Sequence, residues 1–88
     1  MITDLNYFTG QMVDANGRAM PVPANRIGGQ RKTATGACTA APTGTVLVEI
    51  VTDTAVTVDI YGSGTTRLIP GNTTAYFPCA AAQVITLS

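Results

Sequence analysis

The chain contains no histidine, and it holds only five basic and five acidic side chains in 88 residues. Without an imidazole there is neither a Ser-His-Asp nor a Cys-His arrangement, so the only general bases are the five carboxylates. A net charge of zero provides no global field to hold a nucleic acid or an anionic membrane surface. No apolar run approaches the ~20 residues that cross a bilayer. The opening Met1-Ile2-Thr3-Asp4-Leu5-Asn6 lacks the basic-then-apolar profile of a secretory leader, so the expectation is a protein made and used without secretion. The two cysteines, Cys38 and Cys79, lack the CxxC spacing of a zinc or redox site. A bridge between them would close a loop of ~42 residues and contribute roughly 4 kcal/mol. Two reduced thiols are the alternative, favoured by the lack of a leader. No metal or cofactor is expected.

What is present is unevenly distributed. Residues 44–88 read as consecutive short strands, whereas residues 1–43 carry almost no apolar run. The segment Thr45-Val46-Leu47-Val48-Glu49-Ile50-Val51-Thr52 is dense in β-branched residues, with Val46, Val48 and Ile50 on one face and Leu47, Glu49 and Val51 on the other. After a reversal at Asp53-Thr54, the alternation of Val56, Val58 and Ile60 with Thr57 and Asp59 predicts a second strand, paired antiparallel with the first. Arg67-Leu68-Ile69, Thr73–Phe77 and Gln83–Ser88 complete five strands, with a possible sixth over Lys32–Cys38. Pro70-Gly71-Asn72 fits a type II turn with glycine third. The fold class is all-β: a small antiparallel sandwich or open barrel of about five to six short strands, with an extended N-terminal arm. The domain reading is an arm at 1–43 and a compact module at 44–88. A core of about forty-five residues is near the size at which chains need help from disulfides, metals or oligomerisation.

Within the arm, Asn16-Gly17 favours a type I′ turn joining Gln11–Ala15 to Arg18–Val22. Pro21 and Pro23 then interrupt any further ladder, and Gly28-Gly29 forms a joint. Four cations, Arg18, Arg26, Arg31 and Lys32, against Asp4 and Asp14 leave residues 1–43 at +2, and the remainder is at −2. A basic arm can meet an acidic patch on a neighbouring surface, and its apolar residues Leu5, Tyr7, Phe8 and Met12 can be buried there as it orders. These eight residues are the candidate partner-binding set, and deletion of residues 1–30 is expected to leave a folded module that no longer binds its partner.

The case for chemistry is thin. Asp53 and Asp59, on neighbouring strands, form the one conceivable carboxylate pair, and hairpin ends and solvent faces carry such acids routinely. No helix follows Gly62-Ser63-Gly64 or Gly71, so neither is a phosphate loop. Asn72-Thr73-Thr74 matches the glycosylation triplet, a match with no consequence in an unsecreted protein. The aromatics lack the interleaved basic residues of a single-strand stacking surface. A non-enzymatic role is the expectation.

The run Gly44–Ile60, the Gly62-Ser63-Gly64 loop, Leu68-Ile69-Pro70-Gly71, the step Tyr76-Phe77-Pro78 and the closing Val84-Ile85-Thr86-Leu87 together resemble the small β-sandwich structural proteins of tailed bacteriophages. Within that group the texture is most similar to capsid decoration, or cement, proteins. The resemblance covers about half the chain and transfers no individual residue. It implies a protein made in the host cytoplasm and placed on the outer capsid surface of the virion, which binds the major capsid protein, associates with itself, commonly as a trimer, and bridges capsomers. The charge balance and the lack of an apolar span add the expectation of no nucleic acid or membrane partner. Head–tail connector and tail components share this texture, and a carbohydrate- or receptor-binding module is the alternative from a different class.

Overall fold

Period-two alternation gives each strand one apolar face, and the fold is the arrangement that turns those faces toward each other. The computed structural model describes residues 1–13, 16, 19–61 and 66–88, with the side chains of 11–13 and 19–24 left aside. Among them are eight strands and no helix: β1 Thr3–Val13, β2 Ala19–Lys32, β3 Gly36–Ala37, β4 Leu47–Thr52, β5 Val56–Asp59, β6 Arg67–Ile69, β7 Thr73–Pro78 and β8 Thr86–Leu87. They form two four-stranded sheets, β2-β1-β4-β7 and β3-β8-β5-β6, and every pairing is antiparallel. The molecule is a small β-sandwich of 40 × 26 × 22 Å.

The division at residue 43 is not a structural boundary. β1 lies inside the first sheet, pairing with β4 from Thr3↔Thr52 to Phe8↔Leu47. Leu5 and Tyr7 therefore face the core beside Val48 and Ile50, and all four are buried with Val56, Val58, Ile60, Ile69, Ile85 and Leu87. The first forty residues look weak in sequence because, among its described side chains, β1 supplies two large apolar residues to this face, Leu5 and Tyr7, with a threonine ahead of them. That threonine, Thr3, is buried too, its hydroxyl sharing a 3.0 Å hydrogen bond with Thr52.

The predicted pairing of the 45–52 strand with the 55–61 strand is also overturned. β4 is flanked by β1 and β7, while β5 pairs with β6 and β8 in the other sheet. Residues 53–55 carry the chain between sheets, so Val48 and Ile50 meet Val56 and Val58 within one core rather than as ladder neighbours. Thr52 Oγ1 donates to Thr54 O at 2.6 Å, holding the corner. Gly71 sits against it: a Cβ there would lie 3.0 Å from Asp53 O and 3.3 Å from Ala55 N. The residue with positive φ in that turn is Asn72, at 57°, not Gly71 as the type II turn requires, so this glycine is needed for close approach rather than for its dihedral freedom. Val46, assigned to the inner face, precedes β4 and is half exposed.

The β1–β2 hairpin is longer than predicted. Its ladder runs from Thr3↔Lys32 to Val13↔Ala19, with irregularities at Tyr7/Phe8 and Gln11/Val13. Pro21 and Pro23 do not end it, since β2 is the edge of its sheet and same-parity residues can direct their missing N–H toward solvent. The Asn16-Gly17 turn geometry lies outside the described residues, as do Arg18 and the Gly62-Ser63-Gly64 loop.

Because β1 is structural, Leu5→Ala in the full chain should cost about 2–5 kcal/mol, as Ile50→Ala should. Urea unfolding measures both; a loss near zero for Leu5→Ala would restore the dispensable arm.

Candidate functional site

The outer face of the first sheet is built from residues in register across its strands. Asn6 stands opposite Glu49 and Glu49 opposite Tyr76. Their side chains form one chain of hydrogen bonds: Arg26 Nε donates to Asn6 Oδ1 at 2.9 Å, Asn6 Nδ2 to Glu49 Oε1 at 3.1 Å, and Tyr76 Oη to Glu49 Oε2 at 3.0 Å. Arg26 reaches Asn6 over Gly29, where a Cβ would stand 2.5 Å from the guanidinium nitrogen. One step along the same face, Arg31 makes a two-pronged contact with Asp4, at 2.8 and 3.1 Å. The polar groups of this surface are bonded to one another, with Val51 exposed beside Asp4.

The candidate partner-binding residues therefore separate. Leu5 and Tyr7 are core and are withdrawn from any surface role. Tyr7 Oη accepts from Gln30 Nε2 at 3.0 Å, and Gln30 also clamps Thr39 through its backbone N–H and C=O, at 3.0 and 3.1 Å. Burial pushes the Tyr7 phenol above its ordinary range, partly offset by the Gln30 bond. Phe8 is half-buried. Arg26 and Arg31 are exposed but committed to Asn6 and Asp4, and Lys32 donates to Ala37 O at 3.3 Å. The Met12 side chain lies outside the described set. Asp53 lies at the corner between the sheets and Asp59 in β5, so the two are not on neighbouring strands of one sheet; Asp53 accepts the Ile2 backbone N–H at 2.8 Å. Among the described residues no group of three His, Cys, Asp or Glu could hold a metal ion, and no helix is long and apolar enough to cross a membrane.

The second candidate surface is one that strand alternation does not reveal. It is a cleft of about 370 Å³ beside β6 and β7, lined by Val58, Ile60, Tyr61, Arg67, Tyr76, Phe77 and Pro78. The Arg67 guanidinium lies 5.9 Å from the centre of the Phe77 ring, a cation–π contact at the mouth. Tyr61 is 58 % exposed and Tyr76 43 %. Hydrogen bonding to the Glu49 carboxylate pushes the Tyr76 phenol up, since its phenolate would face a negative charge. A sequence signal existed in the exposed parity of Tyr76, but its meeting with Tyr61 depends on the packing of two sheets.

The cysteines are free and buried, and burial raises both thiols. A thiolate is disfavoured and access is closed, so Ellman's reagent should label the native chain far more slowly than the unfolded chain, both sites together. Rapid labelling of one site in the native state would contradict this packing.

The Arg31 hydrogen bond holds the Asp4 carboxyl below its usual range, and the Ile2 backbone N–H with the Thr54 hydroxyl does the same for Asp53. Folded values below the ordinary ~3.9 mean that both contacts stabilise the fold above that pH and lose this contribution as pH falls through the lowered values. Thermal melts from pH 5 to 2 should show Tm falling, less steeply in Asp53→Asn; equal slopes would remove Asp53 from the account. Compared with known proteins, the chain matches no family model, no curated protein and no solved structure.

Proposed function

We propose that this chain is a structural, non-enzymatic virion protein that attaches as a homo-oligomer to the outside of a phage capsid and bridges capsomers, the decoration or cement role. The observation that carries the reading is the β1–β2 hairpin. Its ladder continues to Val13↔Ala19, whereas β4 accompanies β1 only as far as Phe8. Past that point the described strands form a two-stranded ribbon beyond the sandwich, and an isolated ribbon is marginal in water. Burial against a neighbouring subunit supplies the third layer that it lacks.

This replaces the arm that orders wholesale on its target. The sandwich is complete without a partner, and attachment uses the ribbon and the open β2 edge rather than Leu5 and Tyr7. The backbone of a sheet edge is a template for strand addition. Individually weak contacts of this kind become firm on a lattice that presents many copies. The polar groups of the first sheet's outer face bond to one another, which suits a surface left facing solvent.

The test is the stoichiometry of this chain in purified particles of its phage source, by quantitative mass spectrometry against the major shell protein. Decoration predicts copies in a fixed ratio close to that of the shell subunits. A few copies per particle would place the chain at the connector or tail, and absence from particles would overturn the virion reading.

A further inference from the structure

Beside the β6–β7 cleft lies a second hollow of about 360 Å³, lined by Thr45, Val46, Tyr61, Pro78, Cys79, Ala80 and Gln83. The two hollows share a wall, Tyr61 and Pro78, tied together by the Tyr61 hydroxyl donating to Pro78 O at 3.2 Å. They are thus two compartments of one groove along the open side of the sandwich. The floor of the first compartment is core: Val58 and Ile60 are buried. Val46, 50 % exposed, edges the second.

We infer that this groove binds an extended segment of a partner protein that carries two large apolar side chains at positions i and i+2, followed or preceded by a carboxylate residue. The inference rests on the attachment reading above and names the chemistry of the partner. Same-face side chains of an extended chain stand about 6.6 Å apart, so successive ones can lie on either side of the wall made by Tyr61 and Pro78. Each hollow, of about 360 to 370 Å³, is open to solvent, so an extended chain can be laid into it from outside. The carboxylate is set by charge. Among the described residues the Arg67 guanidinium has no acidic partner at ion-pair distance, the ion pair seen being Arg31–Asp4, and Arg67 is positioned over Phe77 at the mouth. A carboxylate there would gain a charge-assisted contact with Arg67 while its apolar neighbours fill the groove.

Peptide is favoured over glycan by the state of the tyrosines. A sugar surface needs hydroxyls and amides free to hydrogen-bond. Here the Tyr61 and Tyr76 hydroxyls are both donated, to Pro78 O and to Glu49, so what these rings offer the groove is chiefly apolar surface.

The experiment presents a display library of random linear dodecapeptides to the full immobilised chain, with a glycan array run in parallel. The expected result is an enriched motif of two large apolar residues separated by one position and adjoined by Asp or Glu. A synthetic peptide of that consensus should lose at least tenfold in affinity with Tyr61→Ala and lose its preference for the acidic residue with Arg67→Ala. Leu68→Ser, at an exposed position outside the groove, should leave binding unchanged. Should Tyr61→Ala fail to fold by thermal melt, Val46→Asp takes its place. No enriched motif, a motif without this spacing, binding that survives both groove variants, or glycan binding abolished by Tyr61→Ala would each overturn the proposal. The library requires no particle, so its failure removes the groove while the virion reading is judged separately by particle stoichiometry.

Discussion

The antiparallel pairing of β1 with β4 is the constraint on which the other features rest. It brings Leu5 beside Ile50 and Tyr7 beside Val48 across more than forty residues of chain, and both pairs face the shared core. Take it away and the first sheet loses two of its four strands, β2 having no partner but β1 among the described residues. The loop closed by this pairing is long, but closure entropy grows only logarithmically with length. Four fully buried side chains, each contributing on the order of 1.5–3 kcal/mol of transfer free energy, outweigh it.

The second determinant is the corner at residues 53–55. A strand such as β4, apolar on its inner face and flanked on both edges, cannot also pair with the strand that follows it. The chain instead passes to the opposite sheet, where β5 presents Val56 and Val58 to the same core. The turn before β7 packs on this corner at Gly71, and Asp53 at the corner holds the N-terminus of β1 through Ile2. Both cysteines enter the core as small hydrophobes, so this sandwich is held by packing and not by a cross-link.

These choices set what the surface can do. Committing β1 and β4 to the sheet interior leaves β2 and β7 as the edges of the first sheet and β3 and β6 as those of the second. The β2 edge carries the projecting ribbon. The β6–β7 side carries the groove, which aromatic side chains line. The outer face between them carries the Arg26–Asn6–Glu49–Tyr76 chain of hydrogen bonds and the Arg31–Asp4 pair. A face whose polar groups bond to one another, flanked by two open sides, is the physical basis of the attachment proposal.

The sequence by itself determined the all-β class, the positions of the strands after residue 44, and the inward parity of Val48, Ile50, Val56 and Val58. Each follows from β-branched composition and period-two alternation, which are local properties of the chain. The tertiary structure alone decided that residues 3–8 are an interior strand, that β4 and β5 belong to different sheets, and that Tyr61 and Pro78 meet to divide a groove. Alternation states which way a side chain points but not which strand lies beside it. That neighbour is selected by the summed burial of distant segments, here Leu5 and Tyr7 against Val48 and Ile50.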